Sequence, residues 1–412
     1  MVRVQSEDGL TNLVQKNHLK GNGRVINVFV YFSYIIIALG MCAILPQEQL
    51  ATTLFYNAVI LTAVLLAAMA ERTRTQVGFN ILFFLSFLVL FFTLGFRDFS
   101  GIDDPAYIKI FNNVVQYGWL SVFKSTTMEP GYLLLNYGVS LLTGDYFCMQ
   151  FITSFIPLFL FYLGFRKYRN VMSMSMAVFL LSTMIYFQML AVSLVRMFIA
   201  LSIVFNAMYY VPQRDTKKYI SLVLLASTFH YSALFMLVLT YFSLNQKNLS
   251  NKAKRFVALG FAGAPVAFVI IAQYLVPRMG VRYSGYGSLG SLELSLGSFD
   301  TLPLLVLLLL NYKRIDAYQV EFFKLFVSTF ALSSIISFYS SMVSLGRLIF
   351  YANSAFFVAA PMVSRALNND YSKVLFCVLI IMYGFLYLYR TQFCLDAHIP
   401  FLFPYRNLFF TI

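Results

Sequence analysis

Charge is scarce in this sequence: only 11% of its 412 residues are Asp, Glu, Lys or Arg, while 60% are hydrophobic. So little charge cannot cover the surface of the two or three soluble domains that the length would otherwise allow, and a water-soluble fold is excluded. Cysteine is sparse as well. Cys42, Cys148, Cys377 and Cys394 are scattered, without a CxxC pair or metal-ligand spacing, so neither a disulfide framework nor a zinc site finds support. No Walker loop, GxSxG or HExxH is present, and no DxD-type metal pair stands clear of other acids, which argues against a nucleotide-using enzyme. No repeat is visible at a period of about 20 to 50 residues, and the apolar segments differ too much to argue for inverted halves.

What is there in quantity is apolar sequence in runs long enough to cross a bilayer. The spacing predicts spans at Val25–Leu45, Leu50–Ala70, Gly78–Phe96, Tyr146–Phe165, Val171–Phe187, Gln188–Val211, Phe256–Leu275, Phe322–Ser340, Leu348–Val363 and Val374–Tyr389. Thr301–Tyr312 is counted as a further crossing that borrows length from Leu296–Asp300. The net charge of +14 could hint at nucleic acid, but no long basic run adjoins a soluble fold, so the excess of Lys and Arg is read as a topology signal. Aromatic residues near segment ends read as headgroup-level anchors.

Placing residues 1–24 in the cytoplasm also puts Arg72 and Arg74, the Arg166-Lys167-Arg169 cluster, Arg214 with Lys217 and Lys218, and Lys313-Arg314 inside. Two segments must then depart from simple alternation. The 13-residue stretch Gly131–Thr143 is read as a short interfacial or re-entrant piece, because a full crossing there would carry the Arg166 cluster outside. Tyr219–Phe242 is read as two half-helices turning near Phe229-His230-Tyr231, which keeps Lys247, Lys252, Lys254 and Arg255 inside. Backbone that turns at membrane depth must be buried in protein or face a wet cavity, so this hairpin is expected to border a site. The predicted architecture is an all-α polytopic integral membrane protein of about eleven crossings plus a re-entrant hairpin. Its membrane domain covers residues 25–390, with outer loops at 97–130 and 276–300 and an outer tail at 391–412.

This topology gathers the unusual polar residues on the outer side. Arg196 falls within an apolar span, where a guanidinium costs at least a few kcal/mol unless it meets a partner or water. It reads either as a ligand for an anionic group or as a snorkelling or carboxylate-paired Arg. Arg347 and Arg282 have the same two readings. Several outer guanidiniums suit a diphosphate better than a carboxylic substrate, because their forks match phosphate oxygens and never discharge. Ordinary phospholipid headgroups are the alternative ligand. Among the acids, Asp103 and Glu129 are candidates for a general base acting on a sugar hydroxyl, whereas Asp104 reads better as a solvated or helix-capping acid. Glu129 directly precedes Pro130-Gly131 and so stands ahead of a helix start, where negative charge is favoured. His230, at the hairpin tip, reads as a proton shuttle, a phosphate ligand or a buried residue joining two half-helices. Tyr107 and Tyr132 read as stacking platforms for sugars or as packing residues.

The ordered set Arg97-Asp98 with Gly101 and Asp103, Glu129-Pro130-Gly131-Tyr132, Leu194-Val195-Arg196, Thr228-Phe229-His230-Tyr231-Ser232, Arg282-Tyr283 and Pro404-Tyr405 resembles the EpsG/Wzy family of bacterial polysaccharide polymerases. The likeness runs from about Phe91 to Asn407. It implies a GT-C-like glycosyltransferase that needs no metal or other cofactor. Such an enzyme joins undecaprenyl-diphosphate-linked repeat units on the periplasmic face of the inner membrane, as in O-antigen or capsule synthesis. On this resemblance Arg97, Arg196, Arg282 and Arg347 bind the donor diphosphate, Asp103 or Glu129 is the base, and His230 positions groups or moves a proton. Tyr107, Tyr132, Tyr283 and Tyr405 complete the candidate substrate contacts. The implied partners are the lipid-linked glycan as both donor and acceptor, membrane lipids and a chain-length regulator protein, with no nucleic acid. A flippase of the same lipid-linked sugar and a membrane O-acyltransferase are the competing classes.

Overall fold

In hydrocarbon every backbone N–H and C=O must be paired within the protein, so long runs of Leu, Phe, Ile and Val are driven into helices. The computed structural model describes residues 32–40, 43, 50–98, 101–126, 128–186, 194–240, 300–339, 346–367, 371–389 and 405–411, with isolated positions between 259 and 270. Among the described residues the regular structure is helical, and the β pairings are single bridges at Arg97–Asn407 and Arg406–Thr411. Among the described residues, six helices are long and apolar enough to cross a membrane: Leu50–Arg72, Gln76–Gly95, Tyr146–Tyr168, Val320–Ser337, Arg347–Ala366 and Tyr371–Leu388. The chain is an all-helical polytopic membrane protein.

In chain order the helices are α1 (Leu50–Arg72), α2 (Gln76–Gly95), α3 (Asp104–Tyr117), α4 (Trp119–Ser125), α5 (Pro130–Ser140), α6 (Tyr146–Tyr168) and α7 (Met174–Leu181). A π-helical turn, Ser182–Tyr186, prolongs α7. They continue as α8 (Val195–Met208), α9 (Thr216–Ser227), a 3-10 segment Tyr231–Leu239, α10 (Leu302–Leu310), α11 (Val320–Tyr339), α12 (Gly346–Asn353), α13 (Phe356–Ala366) and α14 (Tyr371–Leu388). All of α8 is buried, as are α7 apart from Ser175 and the Phe356–Ser364 stretch of α13, so these helices form the centre of the bundle. Around them α1, α2 and α14 turn Leu54, Ile81, Phe84 and Leu375 outward, which suits a lipid surround. Helices α6 and α8 approach closely at Gly164, where a Cβ would stand 2.6 Å from the Phe205 ring.

The predicted turn in the Tyr219–Phe242 stretch is present. The Tyr219 hydroxyl donates to the Met236 carbonyl across 17 positions, which a straight helix would hold about 25 Å apart. The chain therefore doubles back between Ser227 and Tyr231, with His230 in extended backbone at φ −155° and ψ 116°. The 13-residue stretch after Pro130 forms the 11-residue α5. Helix α10 has nine residues and reaches only about 14 Å, less than half a hydrocarbon core. The Leu348–Val363 run divides at Ser354-Ala355 into α12 and α13. The expected loop at 276–300, most of the Phe256–Leu275 span and most of the C-terminal tail lie outside the described residues.

One end of the bundle collects the basic clusters. Arg169 donates to Gln76 at 2.5 Å, Arg365 donates to the carbonyls of Arg169 and Met172, and Lys167 and Lys218 both sit over the Tyr210 ring. Tyr168 packs on Phe322 and Phe326 at the start of α11, shortly after Lys313-Arg314. The groups read from sequence as inner are thus neighbours in space. The opposite end carries the start of α6 and α8, the hairpin bend and the loop after α2.

Candidate active site

The loop leaving α2 opens with Arg97, and several contacts fix its position. Its guanidinium pairs with Asp104 at 3.2 Å and also donates to the Leu94 carbonyl at 3.1 Å and to Ser154 Oγ at 3.4 Å. Asp104, the first residue of α3, uses its other oxygen to accept the Gly101 N–H at 2.7 Å. Gln150 of α6 donates to the Arg97 carbonyl at 2.7 Å. From the far end of the chain, the Arg406 carbonyl accepts the Asp98 N–H at 3.0 Å, Leu408 N–H donates to the Phe96 carbonyl at 3.0 Å, and Tyr405 O–H donates to the Thr93 carbonyl at 2.9 Å. Asp104 is fully buried, contrary to its expected solvated role, because the Arg97 charge inside the protein needs an anion and α3 begins within its reach. Asp103 takes the N-cap position of α3, half-buried, and makes no side-chain cap bond.

A second buried pair joins elements far apart in sequence. Arg196, one residue into α8, forms an ion pair with Glu129, which stands immediately before α5. Arg196 is 6% exposed and Glu129 1%, so neither charge is left to water. Glu129 precedes Pro130 at the helix start, as the sequence predicted, yet its carboxylate turns to Arg196 and not to the helix N–H groups. The carboxylate-paired reading of Arg196 is the one observed, and its partner comes from the segment between α2 and α5. The guanidinium also lies 5.9 Å from the centre of the Tyr107 ring, and Tyr107 meets Tyr132 edge to face at 5.5 Å. Burial raises the Tyr107 phenol above its ordinary value, and the Arg196 charge opposes that rise.

The hairpin bend is docked on this pair. Gly131 N–H donates to the Thr228 carbonyl at 2.8 Å, and a Cβ on Gly131 would stand 2.8 Å from that same carbonyl oxygen. Only glycine permits such an approach between α5 and the bend. His230 Nδ1 lies 2.5 Å from Ser232 Oγ, which donates to the Tyr351 hydroxyl of α12 at 3.3 Å. The Glu129 charge is close enough to act on both Tyr231 and Tyr351. Arg347, half-buried, stands one helical turn before Tyr351 on the same face of α12.

The structure thus brings together Glu129, Arg196, Tyr107 and Tyr132 with the His230 bend docked on them, and sets Arg347 one helical turn before Tyr351. Arg97 belongs to the adjoining pair, connected through Tyr146, which feels the charges of Asp104 and Arg97 as well as Tyr107. Tyr405 is in the packed core, stacked on Phe55 at 4.8 Å and meeting Tyr56 edge to face. Arg282 and Tyr283 lie outside the described residues. Sequence reasoning gave Ser232 and Tyr351 no role of their own, although their offsets of two from His230 and four from Arg347 were visible. It also passed over Gln150 and Ser154, whose role depends on a tertiary contact with no sequence mark.

A membrane-embedded helical bundle with buried guanidinium and carboxylate groups clustered at one end, lined by tyrosines and a histidine at a chain reversal, defines a polytopic membrane protein with a polar candidate site. A family model described as the EpsG family matches residues 80–407, most of the 412-residue chain, and the protein belongs to that family. Membership points to a polysaccharide-polymerase-type function. No curated protein and no solved structure matches the chain.

Proposed function

We propose that the protein is a polysaccharide polymerase that joins undecaprenyl-diphosphate-linked oligosaccharide units on the periplasmic face of the bacterial inner membrane. The proposal includes eleven crossings and a GT-C-like, metal-independent mechanism. The observation that carries the reading is the Arg196–Glu129 pair docked on the His230 bend. On this reading, a cation for phosphate and a proton acceptor are in contact before substrate arrives.

The donor diphosphate competes with Glu129 for Arg196, and a bidentate guanidinium–phosphate contact replaces the guanidinium–carboxylate one. Arg347 adds charge from the next helix. Glu129, released from its partner, accepts the proton of the acceptor hydroxyl as that oxygen bonds to the anomeric carbon of the donor. The bond from that carbon to the diphosphate breaks, and undecaprenyl diphosphate leaves as an anion that the Arg side chains stabilise. Ser232 and Tyr351 orient the His230 ring toward this centre. Tyr107 and Tyr132 offer ring edges to a sugar, and Arg282 with Tyr283 is kept as a candidate from the second loop. A chain-length regulator remains a proposed partner.

The test is turnover of synthetic undecaprenyl-diphosphate-linked units by the purified protein. Glu129→Gln should retain donor binding and lose product by about 100-fold or more. Unchanged turnover in both Glu129→Gln and Asp103→Asn removes the carboxylate base. Product formed only as flipped, unjoined lipid-linked unit in vesicles assigns the protein to transport instead.

A further inference from the structure

At the basic end of the bundle, far from the Arg196 site, α2 and α6 leave a groove of about 370 Å³ that opens sideways. Its walls are Phe84 and Phe87 on one helix and Phe159 and Tyr162 on the other, with Asn80 and Arg166 at one end. The floor is closed to polar ligands, because the Tyr162 hydroxyl is turned inward to Ser86 at 2.8 Å and Ser86 is tied to the Ala63 carbonyl. What remains is an apolar slot with one polar end.

The three cations around that end differ in how far they are committed. Arg169 donates to Gln76 and lies 5.1 Å over the Phe79 ring, and Lys167 lies over the rings of Tyr209 and Tyr210. Arg166 is exposed, and its guanidinium has neither a carboxylate nor a hydrogen-bond acceptor among the described residues. An unpaired guanidinium at the mouth of an aromatic slot that faces the bilayer matches a ligand with one anionic phosphate and a hydrocarbon chain. The geometry points to a binding site for an anionic phospholipid, its acyl chain in the α2–α6 groove and its phosphate on Arg166. The inference is independent of the polymerase reading, since it uses none of the same residues.

The experiment places a single indole in the groove, Phe84→Trp in a Trp119→Phe background, in vesicles containing brominated phosphatidylglycerol or brominated phosphatidylcholine. At equal mole fraction the anionic lipid should quench the groove indole about fivefold more strongly, the factor that roughly 1 kcal/mol per basic residue gives. Arg166→Gln should reduce that ratio to about one. A reporter on the exposed face of α1, Leu54→Trp, should show no preference in either background. Equal quenching of the groove indole by the two lipids overturns the site, as does a preference that survives Arg166→Gln. Relief of quenching by a polyprenyl phosphate at a far lower mole fraction than by unlabelled phosphatidylglycerol also overturns it, because the groove then belongs to the carrier lipid. If Phe84→Trp does not insert, Ile81→Trp lines the same groove and gives the same readings.

Discussion

The two buried Arg–carboxylate pairs among the described residues look alike and are built differently. Arg97 and Asp104 are seven positions apart, and each is also tied to backbone, Arg97 to the Leu94 carbonyl and Asp104 to the Gly101 N–H. Arg196 and Glu129 are 67 positions apart, and the groups that face the Arg196 guanidinium are side chains, Glu129 and Tyr107. The first pair is a clasp that closes a loop. The second joins side chains from separate elements next to the His230 bend, and the proposed function has a competing anion open it. Burial is common to both pairs; the backbone ties of Arg97 and Asp104 are what mark the first.

The largest expected effect comes from replacing each pair by apolar residues of similar size, since such replacement leaves no unpaired buried charge and is often neutral for stability. Arg196→Met with Glu129→Leu should insert and fold normally yet produce single-unit glycan and no ladder on a polysaccharide gel. Arg97→Met with Asp104→Leu should keep a ladder. Equal loss in both doubles would erase the distinction between the pairs. Next in size is the single change Arg97→Ala, which strands the Asp104 charge and should cost about 3–5 kcal/mol, seen as a lower melting temperature in detergent. Gly131→Ala follows. Its Cβ would press on a backbone oxygen that cannot rotate away, so the bend should shift from Glu129 at a cost of about 1–3 kcal/mol, and Thr228→Ala should not rescue it. Ser232→Ala, which removes the bond to His230, should lower turnover by about fivefold to tenfold while donor binding is kept.

The smallest effect is expected at a third, exposed pair, Asp215 with Lys218 at the start of α9. The hydrogen bond from the Lys218 side chain, and then that from its backbone N–H, lowers the Asp215 carboxyl below its ordinary range. A depressed carboxyl contributes stability above its unfolded value of about 3.9 and loses it as pH falls through the folded one. Asp215→Asn should therefore leave melting at neutral pH nearly unchanged, and any difference from the parent should vanish in acid.

Much of the site was legible residue by residue. A lone Arg in an apolar run, an acid before Pro-Gly and a His amid a hydrophobic stretch each break the local pattern, and Arg196, Glu129 and His230 do meet. Their pairing was not legible, because nothing in a span of 67 residues states which acid an intramembrane Arg will find. Asp104 was misjudged for a related reason: at a helix start an acid is favourable on its own, and that local explanation hid the tertiary one. Tyr405 shows the limit of aromatic reading, since a ring that contacts sugar and a ring that fills a core leave the same letter. Helix ends were blurred wherever apolar sequence runs through a break, as at Ser354-Ala355.

The strap formed by residues 405–408 has a consequence for biosynthesis. The loop that carries Arg97 emerges from the ribosome some three hundred residues before the backbone that completes its bonding to Phe96 and Asp98. Until translation reaches Tyr405, the nascent protein holds that loop with one side open, and the translocon or a chaperone must shelter it. A stalled or prematurely terminated chain would thus carry most of its helices and still lack a finished wall at the Arg97 end.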